Sequence, residues 1–233
     1  MLETSVKNIL AAIKDQDVVL DIGGWARPFN RANYILDLSP FETRGMFGSQ
    51  GPINEHFNSE TWIVRDICDR APYPFPDKFF DFVICSHTLE DIRDPIWVCS
   101  EIVRIGKRGY IEVPSLVSEL AFGMENSHYA GRNHHRWLIE INENEIVFTF
   151  KYHHIHSNTW YHIPNRVYRR INQPVQYLLW ENTFQYMEQV LVTNTFIDEF
   201  LSSRVKSYYS YPFYYETLEL FRRKVGRILR GLL

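Results

Sequence analysis

The sequence predicts an α/β fold: a doubly wound, mostly parallel sheet followed by an aromatic-rich C-terminal extension. In the first half of the chain, short apolar runs alternate with helical patterns or long connections, as in parallel sheets. The run at 79–86 is almost entirely apolar, which is typical of a strand covered on both faces. Nine of the 11 glycines lie before residue 132, so the turns are concentrated in the same half.

Each element of this half has its own signal. Apolar residues at helical spacing predict an opening helix over 3–14. Asp94 as N-cap, Pro95 at the first helical position and Gly106 at the end predict a second helix. Five apolar runs predict the strands, at 17–22, 32–38, 62–67, 79–86 and 109–115.

The pattern loosens beyond residue 115. Residues 116–143 form a polar stretch, 145–156 look like a strand, and 174–205 indicate a helix or a helix pair rich in Phe, Tyr and Leu. The topology of this last part is not predicted.

Charge and composition exclude several classes of protein. The net charge of −3 gives no global positive field and argues against nucleic acid as a partner. The charge is uneven, since 1–150 carries 14 basic and 22 acidic side chains and 151–233 carries 11 and 6. Cys68, Cys85 and Cys99 form no C-x-x-C pair and lie in apolar runs, so we expect reduced, buried thiols in a cytoplasmic protein.

Targeting and membrane signals are not found in the sequence. The N-terminal residues include acids and lack the apolar stretch of about 7–15 residues that a signal peptide needs. No apolar run reaches the roughly 18 residues of a transmembrane helix.

The strongest motif is VVLDIGG, an apolar strand that ends in Asp21 and runs into Gly23 and Gly24. Glycines at the carboxyl end of a strand let the backbone approach a ligand, and open α/β sheets bind ligands at this edge. A plain structural turn is the alternative interpretation.

Two further acids follow the next two apolar runs. Asp37 ends the second run and can accept hydrogen bonds from both hydroxyls of a ribose. Asp66 follows the third run, beside an apolar wall that suits an adenine. Each acid alone fits a solvated strand end, but three in order favour a ligand site.

This set of motifs resembles the class I S-adenosylmethionine (SAM)-dependent methyltransferases, in particular the small-molecule, type 11 group. Residues 72–115 carry the resemblance best, with Pro-Phe-Pro-Asp, Phe-Asp-x-Val, Leu-Glu and Asp-Pro in the family's order. The match spans about 17–115. It implies a seven-stranded, Rossmann-like sheet with SAM as cofactor and a small-molecule acceptor.

The resemblance also implies roles for particular residues. Asp21, Gly23 and Gly24 would lie beside the methionine part of SAM, and Asp37 would bind the ribose. Asp66 and Ile67 would form the adenine pocket, with Asp69 as a rival for Asp66. Ser86 and His87 would pass the sulfonium end.

Two positions depart from the family pattern. Trp25 stands where many members have a further glycine, and Asp91 replaces the histidine of the usual Leu-Glu-His. The first changes the path of the cofactor loop, and the second removes a histidine that some relatives place near the acceptor. A non-catalytic SAM-binding or scaffold protein of a larger assembly is therefore the alternative function. A nicotinamide-dependent oxidoreductase is disfavoured, since no G-x-G-x-x-G is present.

Methyl transfer from a sulfonium needs alignment and a dry pocket, and a base only where the acceptor loses a proton. Candidate bases are His87, His134 and His135, with Glu90 and Asp91 as further candidates. The segment 133–137, Asn-His-His-Arg-Trp, suits a lid or an acceptor site. A polar turn anchored by its tryptophan is the alternative. Oxygen is the favoured target atom, possibly on a sugar or a carboxylate-bearing acceptor, with nitrogen and carbon left open.

The second part of the chain adds two expectations. His154 and His156 would share one strand face, but no Cys or nearby carboxylate joins them, so we predict no metal site. The segment 221–233 interleaves apolar and basic residues, as in helices that contact an anionic membrane or a partner; docking on the core is the alternative. We expect 1–115 to be the SAM-binding core. Residues 116–233 would carry the acceptor-binding or lid insertion, the remaining strands and this helix.

Overall fold

The computed structural model describes residues 1–125, 129–209, 221–222, 224–226 and 228. Its helices are α1 (Glu3–Ala12), α2 (Pro95–Ile105), α3 (Leu116–Leu120), α4 (Asn165–Ile171) and α5 (Asn194–Lys206). Its strands are β1 (Val19–Ile22), β2 (Tyr34–Asp37), β3 (Trp62–Val64), β4 (Phe82–Ser86), β5 (Arg108–Pro114), β6 (Trp137–Asn142), β7 (Glu145–Phe150), β8 (Val175–Glu181) and β9 (Gln185–Gln189).

The main sheet has six strands in the order β3-β2-β1-β4-β5-β8. The first five are parallel, with Leu20 opposite both Tyr34 and Val83, and β8 is antiparallel to β5. The order reverses beside β1, where chain connections leave in opposite directions. In open α/β sheets such a switch point is where ligands bind.

Side chains of successive strand residues point to opposite faces of this sheet, and both faces are covered. On one face, Leu20 and Ile22 pack in a core that includes Ile102 of α2. On the other face, Val19 packs in a second core with Ile9 of α1. The predicted doubly wound, mostly parallel sheet is thereby confirmed. Asp21 shares the face of Val19.

The caps predicted for α2 are also confirmed. The Asp94 side chain accepts a hydrogen bond from the Trp97 amide at 3.1 Å, Pro95 is the first helical residue, and Gly106 is the C-cap. All three cysteines are buried and free.

A second sheet, in the order β6-β7-β9, lies in the part of the chain whose topology was not predicted. The helical interpretation of 174–205 is wrong over its first part, which forms β8 and β9. Leu178 and Trp180 of β8 are buried, whereas Tyr177 and Leu179 are half exposed. This alternation is the period of a strand, and pairing with β5 stabilises it.

Two smaller expectations also change. The polar stretch 116–143 contains α3 and β6, and the strand β7 ends at Phe150. Lys151 then turns inward to a buried carboxylate of Glu119. The histidines of 153–156 therefore lie on a 3-10 turn, so His154 and His156 do not share a strand face.

The C-terminal segment 221–233 lies largely outside the described residues. Those described there, 221–222, 224–226 and 228, are helical. Over the part of the chain that the structure describes, no helix is long and apolar enough to cross a membrane.

Candidate functional site

A cavity of about 410 Å³ opens at the carboxyl ends of β1 and β4. Most of the residues predicted to form the site line it: Asp21, Gly23, Gly24, Ser86, His87, His134 and His135. The remaining three, Asp37, Asp66 and Ile67, do not belong to its lining. Its volume falls within the range of roughly 300–1,000 Å³ found for small-molecule sites.

The two glycines after β1 form one wall of the cavity. Gly23 has φ +78°, which favours glycine, and a Cβ there would overlap the Thr88 side chain. A Cβ on Gly24 would lie 2.9 Å from Cγ of Asp21. The backbone thus passes directly over the Asp21 carboxyl, which only a glycine at position 24 allows.

The Asp21 carboxyl is buried beneath this turn. Its Oδ2 accepts a hydrogen bond from the Phe29 amide at 3.0 Å, which fixes the loop that follows the glycines. Burial is the largest influence on the group and raises its pKa to about 7, with Asp37 adding to the effect. The carboxyl therefore changes charge near neutral pH.

Asp37 lies at the end of β2 and is joined to the same loop. Its Oδ2 accepts from the Trp25 amide at 3.0 Å and its Oδ1 from the Ser39 amide at 2.9 Å. Burial raises the pKa of this carboxyl. Trp25 is held in turn through its ring nitrogen, which donates to the carbonyl of Thr43 at 2.9 Å. The chain at Trp25 thus links the first two acid-bearing strands.

Asp66 and its neighbours lie apart from the cavity. Oδ2 of Asp66 pairs with Nη1 of Arg93 at 2.7 Å, and this hydrogen bond lowers the pKa of the carboxyl. The Asp66 Oδ1 accepts from the Cys68 amide at 2.9 Å. Ile67 is buried in the core and Asp69 is exposed. Both Asp66 and Asp69 remain predictions for the adenine contact.

His87 follows β4 and has φ +52°, a left-handed conformation uncommon outside glycine. This turn aims the ring between two acids: Nδ1 lies 3.3 Å from Oε1 of Glu90, and Nε2 lies 3.2 Å from Oε1 of Glu112. Partial burial opposes a positive charge, but the hydrogen bonds to Glu112 and Glu90 raise the pKa of His87 to about 9. At neutral pH the ring is therefore an imidazolium and cannot accept a proton.

Glu112 is the residue of the site that the sequence analysis missed. Its side chain is fully buried in β5, where Oε2 accepts from the Tyr110 hydroxyl at 2.7 Å and from Ser5. Oε1 lies 3.3 Å from the Ser86 hydroxyl. These hydrogen bonds and His87 lower its pKa against the effect of burial. An acid inside an otherwise apolar strand was the signal that could have identified it.

The predicted acceptor segment divides between two surroundings. Trp137 is buried in the core of the main sheet, and its ring nitrogen donates to the Ile92 carbonyl at 2.8 Å. His134 and His135 line the cavity instead, next to Asp91. His135 is buried and its Nδ1 lies 2.8 Å from Oε1 of Glu119. Trp137 therefore anchors the segment, while the two histidines face the cavity.

Residues 4–124, just over half of the chain, match the family model described as methionine biosynthesis protein MetW. The chain belongs to the MetW family. The resemblance to class I SAM-dependent methyltransferases is confirmed at this level. No curated protein sequence is similar enough to this MetW-family chain to count as a match.

Three solved structures show the likeness of the fold. A Haloferax volcanii protein, assigned as a methyltransferase and complexed with the Trm112 methyltransferase activator, is 23% identical, with 47% of this chain and 50% of that chain covered and a TM-score of 0.35. A Bacillus halodurans C-125 protein, assigned as a methyltransferase, is 20% identical, with 48% and 50% covered and a TM-score of 0.36. A SAM-dependent methyltransferase from Mesorhizobium loti is 16% identical, with 62% of each chain covered and a TM-score of 0.36. This MetW-family chain thus spans about half the length of the first two structures.

Proposed function

We propose that the cavity binds SAM and that the chain transfers its methyl group to a small-molecule acceptor, with oxygen as the favoured target atom. The observation that carries the proposal is the turn at Gly23 and Gly24 over the buried Asp21 carboxyl, at the switch point of the sheet. Membership of the MetW family supports the same assignment.

The residues present fit the methionine part of SAM. Oδ2 of Asp21 bonds to the Phe29 amide, while the remaining lone pairs of the carboxyl can accept from an ammonium. Arg27 lines the same cavity and offers a guanidinium to a carboxylate. Only glycine at position 24 leaves backbone close enough for a ligand to lie against it.

Asp37 fits the ribose, although its carboxylate already accepts two backbone hydrogen bonds. A carboxylate has about four lone-pair sites, so two remain for the ribose hydroxyls. Trp25 supports this arrangement, since its amide holds the Asp37 carboxylate close to the glycine turn. The adenine contact stays assigned to Asp66 and Ile67, with Asp69 as the rival.

Bound SAM supplies an electrophilic methyl group on a positively charged sulfur. The chain then has to align the acceptor with that methyl and exclude water. His87 contributes a fixed imidazolium between Glu90 and Glu112 beside the sulfonium end. Its hydrogen bonds make it a positioning residue, which leaves His134 and His135 as the candidate bases. Arg132 lines the same end and suits a carboxylate-bearing acceptor.

The alternative is a SAM-binding protein without methyl transfer, inside a larger assembly. It is favoured by one observation, that the histidine expected to serve as a base after β4 is held protonated by two acids. Both functions require the same cofactor site and differ only at the acceptor end.

Isothermal titration of the full chain with SAM tests the shared part of the proposal. We expect saturable binding at one site per chain, weakened about 10-fold or more in Asp37→Asn, in line with the roughly 1.5–3 kcal/mol of a hydrogen bond to a charged group. The exposed Asp69→Asn is the comparison for the adenine assignment. No heat with millimolar SAM overturns the proposal. With binding established, labelled methyl in any acceptor of a panel decides for the enzyme, and its absence decides for the alternative.

A further inference from the structure

We propose that Asp91, His134 and His135 form a binding site for a divalent transition-metal ion, with Zn²⁺ as the best-matched ion. The three side chains come from two separate parts of the chain, the turn after β4 and the segment before β6, and meet at one end of the cavity. Metal binding at these residues does not require SAM, so the inference stands apart from the proposed function.

The geometry of the cluster is close to that of a metal site. Oδ1 of Asp91 lies 3.7 Å from Nε2 of His135 and 3.9 Å from Nε2 of His134. The ligand atoms of the three residues all lie within 4.8 Å of one another. Zn²⁺ with bonds of about 2.0–2.1 Å in tetrahedral geometry holds its ligand atoms about 3.3 Å apart. Small side-chain rotations of Asp91 and His134 close the difference.

The Asp91 carboxylate lacks the partner that a buried oxygen needs. Its Oδ1 is buried and has no hydrogen bond among the described residues. Both histidine nitrogens face it from beyond hydrogen-bond distance. An unsatisfied buried acceptor costs roughly 1–3 kcal/mol, and a cation between the three groups would remove that cost.

A second layer of contacts fixes the orientation of His135. Its Nδ1 lies 2.8 Å from Oε1 of Glu119, whose Oε2 accepts from Nζ of the buried Lys151 at 2.6 Å. A histidine that donates Nδ1–H to a carboxylate keeps its Nε2 lone pair for a metal, as in carboxylate–histidine–zinc arrangements. Here that lone pair points towards Asp91.

Two histidines and one carboxylate leave coordination positions open, as in catalytic rather than structural zinc sites. Because all three residues line the cavity, an open position faces the space proposed for the acceptor. A hydroxyl or carboxylate oxygen of the acceptor is a suitable ligand there. Metal binding would occupy the nitrogens considered above as bases, so the ion and a histidine base are competing roles.

The other histidine group does not share these features. His154 Nε2 is taken by Asp198 at 2.7 Å, and His162 Nε2 is taken by the Ile155 carbonyl at 2.7 Å. The expectation of no metal site rested on that group. The spacing of Asp91 and 134–135 in the sequence gave no signal, since only the fold brings them together.

Titration of tag-free, metal-stripped full chain with Zn²⁺ and with Co²⁺ tests the inference. We expect one ion per chain and visible Co²⁺ absorption bands of a nitrogen- and oxygen-coordinated site. Asp91→Asn and His134→Ala should each weaken binding at least about 10-fold, the lower end of the effect of outer-sphere partners. His56→Ala removes an exposed histidine elsewhere and should leave the affinity unchanged.

Equal affinity in the wild-type chain, Asp91→Asn and His134→Ala would overturn the inference, as would no binding with Zn²⁺ in excess. His135→Ala is unsuitable as the main test because it also removes the partner of Glu119. Circular dichroism of each variant confirms that it is folded before its affinity is compared.

Discussion

The Nε2 atom of His87 lies 3.2 Å from Oε1 of Glu112, a carboxylate buried in the central sheet. Glu112 is itself held by Tyr110 and Ser5, so its position is fixed from the opposite side. The imidazolium and the carboxylate stabilise each other's charge at the edge of the cavity. The protonation state of His87 is thus set by a residue two strands away from the cofactor turn.

Replacing Glu112 by Gln should lower the pKa of His87. The amide keeps the shape of the side chain but loses the negative charge, and only Glu90 then favours the imidazolium. We expect the pKa to fall from about 9 towards its ordinary value of 6.5, followed by NMR of the imidazole carbons. The exposed His56 is the internal reference and should titrate identically in both proteins. An unchanged His87 pKa in Glu112→Gln contradicts the assigned contact.

The same contact makes the stability of the chain depend on pH. Because the folded state raises the pKa of His87, its stabilising contribution is complete below about 6.5 and is lost as pH rises through about 9. We therefore expect the free energy of unfolding to decrease over this range. His87→Asn tolerates the left-handed backbone and should flatten the decrease. Urea unfolding at several pH values provides the measurement, and equal slopes for both proteins would argue against the ion pair. Since the side chain is 39% exposed, solvent screening keeps the effect small.

SAM affinity should increase as pH rises through about 7. Burial raises the pKa of Asp21 to about 7, and its ionised form is the one that attracts a cationic ligand. Cation binding therefore releases a proton below this pH and becomes tighter above it. In Asp21→Asn we expect weaker binding at pH 8 and a flat profile. Calorimetric titrations in buffers of different ionisation enthalpy report the proton release directly. A wild-type profile as flat as that of the variant would place Asp21 outside the cofactor site.

Gly24→Ala should disrupt the cofactor turn. The added methyl would lie 2.9 Å from Cγ of Asp21 and force the carboxyl or the loop to move. Overpacking of this kind costs about 1–3 kcal/mol of stability, and we expect at least a 10-fold loss of SAM affinity. Gly123→Ala is the matched control, because its Cβ meets open space and only its φ of +74° is unfavourable. Equal SAM affinity of Gly24→Ala and Gly123→Ala would show that the turn does not contact the cofactor.

Local patterns predicted the part of the fold in which neighbouring residues decide the structure. The β1 strand with its glycines, and α2 between Asp94 and Gly106, needed only short-range information. Strand β8 was mistaken for helix because Phe, Tyr, Leu and Trp fit either structure. Its pairing with β5 decides between them, and that contact is distant in sequence.

The candidate site shows the same limit. Asp21 and Asp37 could be recognised because strand-end acids recur in order along the chain. The environment of His87 could not, since it depends on Glu112 across the sheet. Likewise, Asp91 and His135 come together only through the second sheet and the packing of Glu119.

The structure of the chain with S-adenosylhomocysteine bound tests the central claim most directly. We predict that the homocysteine part lies in the cavity between Gly24 and His87, with the ribose hydroxyls within hydrogen-bond distance of Asp37. A nucleoside bound elsewhere, or an Asp37 carboxylate without contact to the ribose, would contradict the account.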